Sequence, residues 1–211
     1  MTDRVKPPRR AYHSPLRAGQ AQQTRRRVLE SARRLFVEHG YNGTTVAAVA
    51  DHAGVSPDTI YLSVGGKRGL LEGVMEITGP HDTLADDETW WDTVAQLPNA
   101  AQRLDKMVEY SCRILRRTQP IHAIIRGAAD KEAFAADLGR RLLQERLTTQ
   151  TERIRRYLAE QLKPELSVSE AGERYCALAS PELFHLLTVE LAWTPQQHKT
   201  WLTQLLHTEL L

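Results

Sequence analysis

The chain is predicted to be all-α, with an N-terminal three-helix unit followed by a larger helical unit. Apolar residues recur at three-to-four-residue spacing along most of its 211 residues, and no run alternates with strand period over a useful length. Helix starts are written as hydroxyl residues before proline, at Ser56-Pro57, Ser180-Pro181 and Thr194-Pro195, or as a capping box at Ser167-x-x-Glu170. Glycines stand where helices must stop, at Gly40, Gly54 and Gly65-Gly66.

In chain order, residues 1–20 hold three prolines and the cations Arg4, Lys6, Arg9, Arg10 and Arg17, with little to bury. That composition predicts a basic flexible arm. Val28, Leu29, Ala32, Leu35 and Phe36 line one face of a first helix over 22–39. Thr45 is the expected cap of a second helix, VAAVADHA, and a third runs from Pro57 to Ser63. A fourth begins at Lys67 with Leu70, Leu71, Val74 and Ile77 on one side. The N-terminal unit is placed at 21–75 and the larger unit at 76–211. HDTLADDE reads as an acidic loop, Leu104 to Leu115 as a helical stripe, and 131–162 as one long helix ended by Pro164. Two further helices are expected over ELFHLLTVELAW and QQHKTWLTQLLHTELL.

Charge is unevenly spread. Residues 1–75 hold 12 Lys or Arg against 6 Asp or Glu, and the remainder holds 16 against 20. A basic front and an acidic back favour a polyanionic partner for the front alone. Neither Cys112 nor Cys176 belongs to a CxxC pair, so both read as small buried hydrophobes. His122, His185 and His198 are too dispersed for a metal site, and Asp82, Asp86, Asp87 and Glu88 read as a solvated linker. No cofactor is expected. HExxH, GxSxG and GxGxxG are all missing, and GGKRG has Arg68 where a phosphate loop needs Ser or Thr, so an enzyme is not expected. No stretch approaches the roughly 20 apolar residues of a membrane span. MTDRVKPPRR lacks the apolar centre of a secretory signal, and a cytoplasmic location is expected.

The most informative stretch is VAAVADHAGVSPDTIY. Ala50 is small where two helices must cross closely, Gly54 suits a tight turn, and Val55 and Ile60 fill the core beneath. This is the pattern of a helix-turn-helix, whose second helix presents its start to the major groove. Residues 24–75 resemble the tetracycline-repressor (TetR) family: Phe36-x-x-x-Gly40-Tyr41, Thr44-Thr45, Ala50, Gly54-Val55-Ser56, Thr59-x-Tyr61 and Lys67 before Leu70-Leu71. The resemblance implies phosphate contacts from Thr45, Tyr61 and Lys67. It places Ala47, Ser56, Pro57, Asp58 and Thr59 toward the groove, with Leu62 and Ser63 at its edge. Asp58 replaces a common glycine, and either accepts a hydrogen bond from a cytosine amino group or stabilises its own helix as a first-turn acid. Ser63 and Val64 replace aromatics, so lighter packing is expected there, and Gly65-Gly66 in place of a capping residue suggests a looser hinge. With no Arg, Lys, Asn or Gln in the third helix, specificity is expected to lean on methyl contacts, the arm and DNA shape.

The same resemblance implies a C-terminal helical domain that binds a small-molecule effector and dimerises. Trp90, Trp91, Met107, Tyr110, Ile114 and Phe134 are the candidate pocket residues, each also readable as plain core. Leu183, Leu186, Leu187, Leu191, Trp201, Leu202, Leu205 and Leu206 exceed what one helical layer buries, and are the candidate homodimer face. The expected function is a ligand-responsive transcriptional regulator, a repressor, binding a palindromic operator in double-stranded DNA. A constitutive architectural DNA-binding protein and a protein-interaction adaptor are the competing readings.

Overall fold

The computed structural model describes residues 15–79 and 84–211, with side chains from residue 19 and again from residue 89. Ten α-helices and no strands lie among the described residues: α1 (Pro15–Gly43), α2 (Val46–Ala53), α3 (Pro57–Val64), α4 (Lys67–Thr78), α5 (Leu84–Ala95), α6 (Ala100–Ala129), α7 (Ala133–Tyr157), α8 (Val168–Leu178), α9 (Pro181–His185) and α10 (Pro195–Leu210). The all-α expectation holds. Arg4, Lys6, Arg9 and Arg10 of the expected arm lie outside the described residues, as does Asp82.

Three boundaries differ from the sequence reading. Helix α1 starts at Pro15 and overruns the arm and the expected start at Gln22. Residues 19–23 are all exposed there. A helix extends over such residues by propagation, each adding one backbone bond, so the extension leaves no apolar pattern to read. The stretch expected as an acidic loop turns helical at Leu84. Helix α7 stops at Tyr157, with one 3₁₀ turn at Ala159–Gln161, instead of running on to 162. Arg103 explains that stop: its guanidinium donates to the Tyr157 carbonyl at 3.2 Å, satisfying a helix-end acceptor from 54 positions away.

Two apolar cores hold the chain together. The first gathers Val28, Leu29 and Phe36 of α1, Val49 and Ala50 of α2, Ile60 of α3 and Leu70, Leu71 and Val74 of α4. It does not close on these four helices: Ile121, Ile125 and Ala128 of α6 and Ala135 and Leu138 of α7 complete it. The second packs α6 (Leu104, Met107, Val108) against Ile154, Tyr175 and Leu202, Leu206 and Leu210 of α10. Helix α6, 30 residues long, serves both cores.

The last two helices differ from expectation. The segment after Pro181 is α-helical only to His185, then widens into a π-type turn over Leu186–Glu190. Ala192 takes φ 54°, and the Trp193 N–H closes on the Leu187 carbonyl at 2.8 Å. Helix α10 starts as predicted, with Thr194 and Gln197 forming a capping box.

Candidate nucleic-acid interface and interior cavity

Helices α2 and α3 are assembled by their caps. The Ala48 N–H donates to Thr45 Oγ1 at 3.1 Å, and the Thr59 N–H donates to Ser56 Oγ at 3.2 Å. Such caps contribute roughly 1 kcal/mol each. Thr44, read from sequence only as the cap's neighbour, is buried. Its hydroxyl reaches the Leu35 and Gly40 carbonyls at 3.1 and 2.9 Å and closes the end of α1. Between α2 and α3, Gly54 takes φ 65° and ψ 42°, a left-handed turn that glycine adopts without strain.

One face of α3 is anchored and the other is free. Ile60 is fully buried beneath it. Ser56, Pro57 and Asp58 are exposed at its start, with Thr59 and Ser63 half-buried. Tyr61 is 57% exposed and Leu62 is 90% exposed. A leucine so placed buries almost no area and adds almost nothing to this chain's own stability. Thr45 and Ala47 of the preceding helix are exposed as well. Lys67 is half-buried, with Nζ 4.4 Å from the centre of the Tyr41 ring, and burial holds its pKa below the ordinary lysine value. Of the candidate DNA contacts, Thr45, Ala47, Ser56, Pro57, Asp58, Tyr61 and Leu62 are thus exposed, and Thr59, Ser63 and Lys67 are half-buried.

Two glycines set the α2–α3–α4 corner. Gly66, at φ 95°, makes no side-chain cap, but Tyr61 covers it: a Cβ there would lie 2.9 Å from the tyrosine ring. Gly69 was not singled out from sequence. A Cβ on it would overlap the Val64 carbonyl oxygen. The only signal was a glycine inside a predicted helix, where alanine is ordinarily favoured by about 1 kcal/mol.

Helix α4 is shared between this corner and a cavity of about 520 Å³ between α6 and α7. Met75 of α4 and Gly79 at its C-cap, Tyr110, Ile114 and His122 of α6, and Arg146, Gln150 and Arg153 of α7 are among its walls. Glu72 of α4 is paired with Arg141 of α7 at 3.1 Å, and Glu76 with Arg25 of α1 at 2.7 Å. These pairs are solvent-exposed and worth about 0–1 kcal/mol each, so they orient α4 more than they stabilise it.

Of the six candidate pocket residues, the structure brings Tyr110 and Ile114 to this cavity. Met107 is 1% exposed within the second core. Phe134 packs on Tyr41 with ring centres 5.5 Å apart. Trp90 and Trp91 stand behind the wall, 6.2 and 5.0 Å from the Tyr110 ring. An aromatic on a helix face reads the same whether it meets solvent, ligand or a neighbour, so sequence did not separate these. The polar members, His122, Arg146, Gln150 and Arg153, were missed. Charged and polar residues on a long helix read as a solvated face unless the opposing helix is known.

Burial, and after it the Arg146 guanidinium, hold the His122 pKa down to about 4, from an ordinary 6.5. Burial lowers His198 in the same direction. The unfolded chain takes up these protons near 6.5 while the folded chain resists, so stability is lost as pH falls through the window from 6.5 to about 4. The urea midpoint should drop between about pH 7 and 5, and His122→Asn should remove on the order of 1–2 kcal/mol of that drop. An undiminished pH dependence in the variant would count against this assignment.

The candidate dimer residues divide. Leu202 and Leu206 are fully buried and Leu187 is 7% exposed, so all three belong to the protomer's own packing. The alternation within α10 that sends Trp201 and Leu205 partly outward turns Leu202 and Leu206 onto α6 and α8. Leu186 and Leu191 are 47% and 57% exposed, Leu183 is half-buried, and Val189, not singled out from sequence, is 56% exposed beside them. The π-type turn widens this segment and sends Leu186 and Val189 outward while Leu187 goes in.

Cys112 and Cys176 are both buried and unpaired, and burial pushes the Cys112 thiol up to about 11, the inert state expected of a packed cysteine. No group of three or more His, Cys, Asp or Glu suited to a metal ion occurs among the described residues. No helix among them is long and apolar enough to cross a membrane.

Comparison with known proteins agrees with this geometry. Residues 28–74 match the family model described as bacterial regulatory proteins, tetR family. The HTH-type transcriptional regulator YvkB of Bacillus subtilis, itself described as uncharacterized, is 38% identical over 52 residues, covering 25% of this chain and 28% of that protein. TtgR of Pseudomonas putida, another HTH-type transcriptional regulator, is 36% identical over 67 residues, 31% of this chain and 32% of its own length. These matches span about a third or less of the relatives. The fold likeness extends further: a crystal structure of a putative TetR-family regulator from Syntrophomonas wolfei superposes with a TM-score of 0.72 at 14% identity, covering 89% of this chain and 94% of that one. With the capped turn, the two-sided third helix and the helical scaffold in place, residues 28–74 are similar to the tetR family of bacterial regulatory proteins, and the chain shares its fold with the Syntrophomonas wolfei structure.

Proposed function

We propose that this chain is a cytoplasmic transcriptional repressor that binds a palindromic operator as a homodimer and is released by a small-molecule effector. The observation that carries the reading is the two-sidedness of α3. Ile60 is locked in the core while Leu62, at 90% exposure, and the Ser56–Thr59 start face outward, an arrangement with no use in the fold itself. In this reading Thr45, Tyr61 and Lys67 contact phosphates and fix register. Ala47, Ser56, Pro57, Asp58 and Thr59 enter the major groove, and Leu62 and Ser63 meet its edge through apolar and hydroxyl contacts. Leu183, Leu186, Leu191, Trp201 and Leu205, joined by Val189, form the face that pairs two protomers. A twofold axis would then set the two recognition helices about 34–36 Å apart, one turn of DNA.

Release follows from α4. The same helix lines the cavity through Glu72, Met75 and Glu76 and packs on α1 through Leu70, Leu71 and Val74. An effector that fits only the conformer with the wrong head spacing lowers DNA affinity by its differential affinity for the two conformers. The domain division at residue 75 is thus one of roles. The head carries the contacts and the remainder sets their spacing.

Selection from random duplexes should return an inverted repeat with half-sites one helical turn apart, and recovery of single half-sites would remove the dimer from the proposal. On the selected duplex, Lys67→Ala combined with Tyr61→Phe should weaken binding to all sequences alike. It should also flatten the dependence of log affinity on log salt by about one unit for each phosphate the variant no longer neutralises. An unchanged slope would remove the phosphate-contact assignment.

A further inference from the structure

The cavity between α6 and α7 has an electrostatic character that its apolar walls conceal. Its carboxylates, Glu72, Glu76 and Glu145, carry exposed side chains, and the first two are already paired with arginines. The cations of α7 are held differently. Arg146 is 19% exposed at its side chain, donates to the sulfur of Cys176 at 3.3 Å, and has Glu182 as its nearest carboxylate at 3.9 Å. That same Glu182 also serves Arg126 at 3.6 Å, so one negative charge is divided between two positive ones. Arg153 rests on the rings of Trp91 and Tyr110 at 4.1 and 4.8 Å and has no carboxylate partner among the described residues. Gln150 lies between the two arginines on the same wall, buried, with no hydrogen bond from its amide among the described residues.

A cationic ligand is disfavoured by the same geometry. Organic cations are recognised by aromatic faces, and the faces nearest this cavity are taken by the chain's own cations. Arg153 covers Trp91, and Arg113 and Lys106 cover Trp90 at 4.8 and 5.0 Å. Its apolar lining comes from Ile114 and Leu115 of α6 and from Leu138 and Leu142, which precede Arg146 on α7. A volume of about 520 Å³ lies within the range of small-molecule sites.

We propose that the cavity takes an amphipathic organic anion: an aromatic or alkyl body against the apolar wall and one carboxylate or sulfonate on the Arg146–Gln150–Arg153 edge of α7. The planar guanidinium forks and the Gln150 amide supply donors in the geometry that such an oxyanion accepts. This inference rests on the reading of the cavity as the effector site, and names the chemical class of the effector.

Two fluorescent probes separate the ideas: 8-anilinonaphthalene-1-sulfonate and N-phenyl-1-naphthylamine share one aromatic skeleton and differ by the sulfonate. Titrated into the full chain, the sulfonate should bind at least about tenfold more tightly than the neutral amine. Arg146→Met with Arg153→Met should erase that preference, weakening the sulfonate about tenfold and leaving the amine within about threefold. Arg146→Lys with Arg153→Lys should keep part of it. If the double Met variant does not fold by circular dichroism, the single variants carry the same comparison. Equal binding of the two probes, or a sulfonate indifferent to both arginines, overturns the anion proposal and leaves the cavity standing. Ile114→Trp should block both probes. Binding of both untouched by that variant, or no binding of either probe, overturns the cavity reading and the proposal with it.

Discussion

Gly69→Ala is expected to cost the N-terminal unit roughly 3 kcal/mol, at the upper end of what overpacking a well-ordered site does. The reason is local and steric. Helix α3 ends at Val64, and α4 starts two residues after Gly65. The chain turns so sharply there that Gly69 lies against the Val64 carbonyl oxygen, where a Cβ would overlap it. Backbone cannot swing aside as a flexible side-chain tip can. The added methyl must push the end of α3 away from the start of α4, and with it Ile60 from the core it seals. A urea titration followed by circular dichroism should show an earlier midpoint and loss of DNA binding together. A wild-type midpoint would mean that the α3–α4 corner can relax, and the role given to this glycine would be withdrawn.

Leu62→Asp is expected to do the reverse, removing DNA binding while leaving the fold intact. Leu62 is 90% exposed, so the protomer gives up almost no buried surface when its side chain changes. Surface substitutions of this kind usually alter stability by less than about 0.5 kcal/mol. If the recognition face enters the groove, however, the new carboxylate meets phosphates in each half of the dimer. At about 1–3 kcal/mol for each disrupted groove position, and one position in each half, affinity should fall roughly 30- to 20,000-fold. Gel-shift titration at fixed ionic strength measures the fall, and thermal unfolding checks that the midpoint has not moved. Full affinity in Leu62→Asp would take α3 out of the groove and sink the proposed interface. Taken together, the two variants separate a residue that builds the corner from one that uses it.

Much of the head was legible because its determinants are short-ranged. A capping hydroxyl acts three residues away, and a left-handed glycine acts on its own turn. Thr45, Gly54 and Ser56 accordingly behave as the sequence predicts. The capping boxes at Ser167 and Thr194 are legible in the same way, each a contact across three positions. By contrast, the start of α1 was misplaced because exposed helix propagates without an apolar stripe, and the end of α7 because its stop is supplied by Arg103, a distant residue on another helix.

Sequence alone determined the helical class, the caps and turn of the two-helix motif, and which of its residues have nothing to do in the core. Those properties depend on backbone bonds and side-chain spacing within a few residues. The tertiary structure alone decided that the head's core is completed by α6 and α7, that Tyr110 and Ile114 but not Met107 or Phe134 reach the cavity, and that Leu202 and Leu206 face inward while Leu186 faces out. Each of these depends on which surface is brought against a helix. A residue's place on its own helix does not say what lies opposite until the helices pack.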